Sequence, residues 1–171
     1  MDFLKLFADQ ERQGFPDLAG SEAHSVIRLT ERILNAIIAE QIQGSGSISE
    51  LHVTPHAGNR LTVRVDVAKP AFLPAFTIEV RIDKQPVLPD DPVLGLTLSG
   101  IAGLLRFAGP AVGFFKVLPP FVRMEGERVF VDLRAALAPR GLTTILDYVK
   151  DVAVGTEEGR LVVAFSARVR S

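Results

Sequence analysis

The chain contains no cysteine and no tryptophan, and only one tyrosine, two methionines and three histidines among its 171 residues. Without cysteine there is no disulfide, no thiolate nucleophile and no sulfur-ligated metal site. An excess of either charge is also missing: 19 basic residues face 20 acidic ones, for a formal net charge of -1. Lys and Arg stand singly, so no long-range field favours a nucleic-acid backbone or an anionic bilayer. The start, Met1-Asp2-Phe3-Leu4-Lys5-Leu6-Phe7-Ala8-Asp9, is acidic and carries charges within its apolar stretch. It therefore lacks the basic and uninterrupted apolar regions of a signal peptide, which predicts a cytoplasmic protein where Met1 is the natural start.

Apolar side chains are what the sequence has in excess. They make up 47% of the residues, with no membrane span to account for them. Eleven are phenylalanine, which has no polar handle and needs a dry place to sit. A core, a dimer interface or a ligand tunnel would each supply one.

The length fits a single domain over 1–171, with an N-terminal helix and linker in 1–20 and the body in 21–171. Residues 2–13 read as a short amphipathic helix. A longer helix is predicted over 22–43, capped by Ser21, with Val26, Leu29, Ile33, Leu34, Ile37, Ile38 and Ile42 on one side. Alternating strands follow: Leu51 and Val53; Leu61, Val63, Val65 and Val67; Phe76, Ile78, Val80 and Ile82; then 93–98 and 122–133. The first three have one apolar and one polar face, as antiparallel sheets require, and the strand at 93–98 is more apolar. A helix near 141–150 and a final hairpin end the pattern. A weak internal echo runs through the hairpins. Gly58-Asn59-Arg60, Gly126-Glu127-Arg128 and Gly159-Arg160 each precede alternating apolar residues, an echo that reuse of one turn chemistry also explains.

No catalytic motif stands out. There is no Gly-x-Ser-x-Gly elbow and no Cys-His pair. His52 and His56 flank Thr54-Pro55 with only Glu50 close by, too few ligands for a metal. Asp90-Asp91 and Glu157-Glu158 sit in turns, where Asp and Glu serve solvation. Gly44-Ser45-Gly46-Ser47 follows a helix rather than preceding one, and Ser99 to Gly103 lacks the Gly-Lys-Ser/Thr of a phosphate loop. No metal, cofactor or nucleic-acid partner is expected. Glu79, Arg81, Asp83 and Arg64 would be the first suspects for an unrecognised active site, with cross-strand ion pairs as the simpler explanation.

Residues 101–121 are apolar nearly all round, with Pro110 splitting any helix there. Arg106 and Lys116 interrupt it as a membrane span, which needs about twenty apolar residues. Core helices, the wall of a ligand cavity, and a dimer or membrane-contact patch all remain open.

The order of elements adds a resemblance. A long amphipathic helix leads into one-face-apolar antiparallel strands and a Gly/Pro-broken apolar segment. Val122-Arg123-Met124-Glu125-Gly126-Glu127-Arg128-Val129-Phe130-Val131-Asp132-Leu133, a short helix and the hairpin from Asp151 to Val169 follow. Over roughly residues 21–171 this resembles the TULIP (tubular lipid-binding) superfamily and its bacterial LmeA-like phospholipid-binding domains. It departs from the secreted members in showing no signal peptide or lipid anchor. The resemblance implies an α+β fold, a long twisted antiparallel sheet wrapped around a long amphipathic helix, and non-catalytic binding of a lipid or other hydrophobic small molecule in the groove between them. Ile37, Phe76, Ile101, Leu104, Leu105, Phe107, Phe114, Phe115, Leu118 and Phe121 are the candidate lining residues. Homodimerisation through the apolar segment, without a ligand, is the alternative, and a transient membrane contact is left open.

Overall fold

A computed structural model describes residues 20–42, 48–68, 75–100, 120–140, 143 and 145–168. In chain order these form β1 (Glu22–Thr30), α1 (Glu31–Ile42), β2 (Ile48–His56), β3 (Arg60–Val67), β4 (Phe76–Lys84), β5 (Val93–Ser99), β6 (Val122–Glu125), β7 (Arg128–Asp132), α2 (Leu133–Leu137), α3 (Ile145–Tyr148), β8 (Val149–Glu157) and β9 (Arg160–Arg168). The strands make two antiparallel sheets, one ordered β1-β9-β8 and the other β2-β3-β4-β5-β7-β6. No helix among the described residues is long and apolar enough to cross a membrane.

This corrects the α+β expectation of a sheet wrapped around a long helix. Most of the described residues lie in strands, and α1, the longest of the described helices, spans 12 residues. The predicted helix over 22–43 breaks at Thr30. Its first part is β1, paired residue for residue with β9, from Glu22 opposite Arg168 to Thr30 opposite Arg160. Val26, Ile27 and Thr30 are β-branched, and a strand as regular as β9 offers them a ladder that overrides helical spacing. Thr30 then starts the true helix, its Oγ1 accepting the Ile33 N–H at 3.5 Å. The predicted helix near 141–150 ends early, at Tyr148, because Val149 already pairs with Ala167. The strand expected over 122–133 is a hairpin, β6 and β7, turning at Gly126-Glu127. Gly126 has φ 62°, at the first of the loop residues, the place a type II′ turn reserves for glycine.

The larger sheet carries the core on one face. Val65, Ile78, Val80 and Leu98 are buried together, with Leu51, Leu61, Val63, Phe76, Leu96, Met124 and Val129 packed around them. Leu61 lies opposite Val80, and Val80 opposite Leu98, so the apolar rows line up across three strands. Burying one such side chain contributes roughly 1.5–3 kcal/mol. A one-residue slip of β3 would put Arg64 and Asp66 where Val65 now sits wholly inside, which fixes the register.

The hairpin echo is a spatial one. Hairpins β2-β3 and β8-β9 share the same ladder and the same register shift near their start, between Ile48 and Glu50 in one and between Val149 and Asp151 in the other. β4 flanks the first hairpin as β1 flanks the second. The two tips interlock. Gly159 N–H donates to the Pro55 carbonyl at 2.9 Å, and Arg60 N–H donates to Thr156 Oγ1 at 3.0 Å. Pro55 and Thr156 are the penultimate residues of β2 and β8.

A side-chain amide closes the free edge of each hairpin. Asn35, from α1, accepts the Val53 N–H at 2.7 Å and donates to the Val53 carbonyl at 2.8 Å. Gln85, just after β4, accepts the Val154 N–H at 2.8 Å and donates to the Val154 carbonyl at 2.8 Å. Each amide stands in for the peptide of a missing neighbour strand. The two three-stranded units, β1-β9-β8 and β4-β3-β2, therefore grip each other reciprocally.

Candidate functional site

The polar face of the larger sheet carries a continuous row of side chains. His56 lies opposite Arg60, Arg60 opposite Arg81, Arg81 opposite Thr97, Thr97 opposite Arg128 and Arg128 opposite Glu125. The next row on that face runs Thr54, Thr62, Glu79 and Ser99. Alternation puts them there: their neighbours Leu61, Val80 and Leu98 turn to the core.

A cleft of about 410 Å³ opens between these rows, lined by His56, Arg60, Leu61, Thr62, Glu79, Val80, Arg81 and Ser99. Arg60 and Arg81 face each other directly across the ladder. Arg60 Nε donates to the Ala57 carbonyl at 3.3 Å, which holds its guanidinium over the hairpin tip. Arg81 forms no ion pair among the described residues. Like charges directly opposite destabilise a sheet, so this pair opposes the fold by up to about 1 kcal/mol.

Cross-strand ion pairs account for only some of the polar-face suspects. Arg64 pairs along its own strand with Asp66 at 3.3 Å, and Asp83 takes Arg128 at 3.5 Å and accepts a hydrogen bond from Thr97. Arg128 also lies over the Phe130 ring at 5.3 Å, with Arg123 at 5.1 Å from the same ring. Glu79 and Arg81 are left outside these pairs, and both line the cleft.

His56 forms one wall. Its Nε2 shares a hydrogen bond with Thr62 Oγ1 at 2.9 Å, and its Nδ1 lies 3.4 Å from Glu158 Oε1. Hydroxyl, imidazole and carboxylate in that order are the parts of a nucleophilic relay. Here the Glu158 side chain is 77% exposed, so the imidazole has no desolvated carboxylate to fix its orientation. The trio works as a clamp on the tip, since Glu158 Oε2 also accepts the Ala57 N–H at 3.3 Å. His52 is occupied elsewhere, its Nε2 2.7 Å from Glu31 Oε1. No group of three or more metal-capable side chains exists among the described residues.

A second cleft, about 470 Å³, lies between α1 and the edge of β2. Ala39, Ile42, Ile48 and Leu51 give it apolar walls, and Asn35, Ser49, Glu50 and His52 line the rest. It is a groove between a helix and a sheet edge.

Of the candidate lining residues, three fall within the described part. Ile37 is on α1 and 45% exposed. Phe76 opens β4 and packs half-buried against the core opposite Val65. Phe121 precedes β6, half-buried, its carbonyl accepting the Asp132 N–H at 2.9 Å. They occupy three separate elements. Ile101, Leu104, Leu105, Phe107, Phe114, Phe115 and Leu118 lie outside the described residues. Glu79 and Arg81 of this cleft are among the suspects that the sequence offers, whereas Arg60 reads as one arginine on a solvated face. The register alone, which sequence does not print, shows Arg60 and Arg81 opposed.

Comparison with known protein families, curated proteins and solved structures finds no match for this chain.

Proposed function

We propose that the protein is a non-catalytic binding module for a small phosphate- or carboxylate-bearing ligand, held on the polar face of the larger sheet by Arg60 and Arg81. One observation carries this: two arginines at directly opposite register positions of a ladder, both lining one cleft, with no carboxylate from the described residues pairing Arg81. An arrangement unfavourable to the empty protein becomes favourable when an anion bridges it, because a guanidinium presents a planar fork that matches carboxylate and phosphate oxygens. Thr62 and Ser99 add hydroxyls, and Glu79 offers an acceptor for a hydroxyl or amine on the same ligand. The volume suits a metabolite-sized guest.

The test is a calorimetric titration with inorganic phosphate, repeated with a small dicarboxylate, followed by amide chemical shifts. Saturable binding with shifts at Arg60, Arg81 and Ser99 is expected. Arg81→Ala should weaken it by about tenfold or more, since charge-assisted hydrogen bonds contribute roughly 1.5–3 kcal/mol each. Arg81→Lys should fall between, keeping charge and losing the fork. Unsaturable binding, or binding indifferent to Arg81→Ala, would sink the proposal.

A second reading rests on the apolar walls of the α1–β2 groove, which favour a lipid or other hydrophobic guest. Native mass spectrometry of the purified full chain should then show a co-purifying apolar ligand that Ala39→Trp, filling the groove, displaces. A ligand-free mass, or a ligand retained by that variant, removes this reading.

A further inference from the structure

The strand edges are guarded unequally. β2 and β8 are closed by the amides of Asn35 and Gln85. β6, at the far side of the larger sheet, is only 4 residues long. β1 is 9 residues long, forms the outer edge of the smaller sheet and pairs with β9 without a bulge. Among the described residues nothing hydrogen-bonds to its outer edge. Proteins normally blunt such an edge with lysine, proline, a bulge or a covering element. β1 contains neither residue, and Val26 and Ile27, on opposite faces of it, are 51% and 45% exposed.

We infer that β1 pairs antiparallel with β1 of a second copy of this chain, joining the two smaller sheets into one. The charge pattern of the strand selects the register. Centring the pair on Ser25 sets Glu22 opposite Arg28 of the second copy, and by symmetry Arg28 opposite its Glu22. The same register places Ala23 opposite Ile27 and His24 opposite Val26, so each exposed β-branched side chain gains a cross-strand neighbour. Centring on Val26 would instead set His24 against Arg28 and lose both ion pairs. Paired residues keep to one face in this arrangement. Glu22, His24, Val26 and Arg28 meet their counterparts on one side, and Ala23, Ser25 and Ile27 on the other. The intrachain partners of these charges do not compete strongly. Arg28 meets Glu157 at 3.4 Å and Glu22 meets Arg168 at 2.8 Å, all four side chains being 44% or more exposed, and pairs of that kind contribute little.

Sedimentation equilibrium of the full chain over a concentration series tests this. The wild type should fit a monomer–dimer equilibrium. Glu22→Arg alone and Arg28→Glu alone each set like charges opposite one another twice, and each should weaken dimerisation by roughly tenfold or more. An equimolar mixture of the two single variants restores opposite charges at both positions and should recover the dimer as a heterodimer. Circular dichroism of each variant confirms that the monomer is still folded. A wild-type monomer at every concentration overturns the inference and leaves the edge to a different partner. So does a dimer that neither variant weakens, or single variants that fail to complement each other.

Discussion

Replacing Asn35 with alanine removes three hydrogen bonds at one point: Nδ2 to the Val53 carbonyl at 2.8 Å, Nδ2 to the Glu31 carbonyl at 2.9 Å, and the Val53 N–H to Oδ1 at 2.7 Å. The Glu31 bond is the least costly, because that carbonyl belongs to the first turn of α1 and already faces the helical N–H of residue 35. The two at Val53 decide the outcome. Val53 is 7% exposed, so its edge groups sit beneath α1 with little access to water. A hydrogen bond contributes about 1 kcal/mol net, and a buried group left unpaired costs roughly 1–3 kcal/mol. Summed over the Val53 pair, Asn35→Ala should destabilise by about 2–4 kcal/mol. With a urea dependence of roughly 2 kcal/mol per molar, the unfolding midpoint should fall by about 1–2 M. Hydrogen exchange supplies the local check: the Val53 amide should lose protection while those in the middle of β3 and β4 keep theirs. Asn35→Asp separates the donor from the acceptor. It retains an oxygen for the Val53 N–H but turns an oxygen towards the Val53 carbonyl, and should be no better than alanine. A loss under about 0.5 kcal/mol, with Val53 protection unchanged, would refute the reasoning and show that water replaces the amide at no cost.

Gln85→Ala should cost about 2 kcal/mol in urea unfolding and expose the Val154 amide to exchange, and combined with Asn35→Ala the losses should add, since the two clamps share no atom. Gly95→Ala should destabilise by roughly 1–3 kcal/mol, because its new Cβ would lie 2.6 Å from Lys84 Cβ, a stem that cannot swing aside. At the tip of the first hairpin Asn59 has φ 61°; Asn59→Ala should cost about 1 kcal/mol there and Asn59→Gly almost nothing, as thermal unfolding would show.

The strands were legible wherever one face is wet and the other packed. Val63, Val65, Ile78, Val80 and Ile82 announce β3 and β4 by alternation, and the core found there follows. The tight turns were legible from glycine. What misled was the stretch from Glu22 to Ile42. Its apolar residues fit a helix across the whole length, yet its first nine residues include β-branched Val26, Ile27 and Thr30, and β9 decided between the two. β9 is far away in sequence, so no local window contains the deciding partner. The amide clamps were hidden for the same reason: Asn35 and Gln85 look like ordinary polar residues until β2 and β8 are set beside them. The Arg60–Arg81 opposition needed the register as well. Chemistry that arises from pairing between strands leaves no contiguous motif, which is why a search by spacing passed over it.

The unequal reach of the two sheets has a consequence for how the chain is made. β2, β3 and β4 each pair with the next strand to leave the ribosome, so the body of the larger sheet can assemble in order of emergence. Asn35 precedes its target Val53 by 18 residues and is available as soon as β2 appears. Gln85 must wait for Val154, 69 residues later. β1 waits longest, since Arg28 meets Glu157, which lies 129 residues further along the chain. Through that interval a nascent chain carries a largely formed sheet and one segment, β1, whose ladder partner β9 is still to come. The last hairpin to be synthesised both completes the smaller sheet and gives that strand the one ladder partner it has among the described residues, so truncations within β8 or β9 should expose β1 to premature pairing rather than merely shorten the fold.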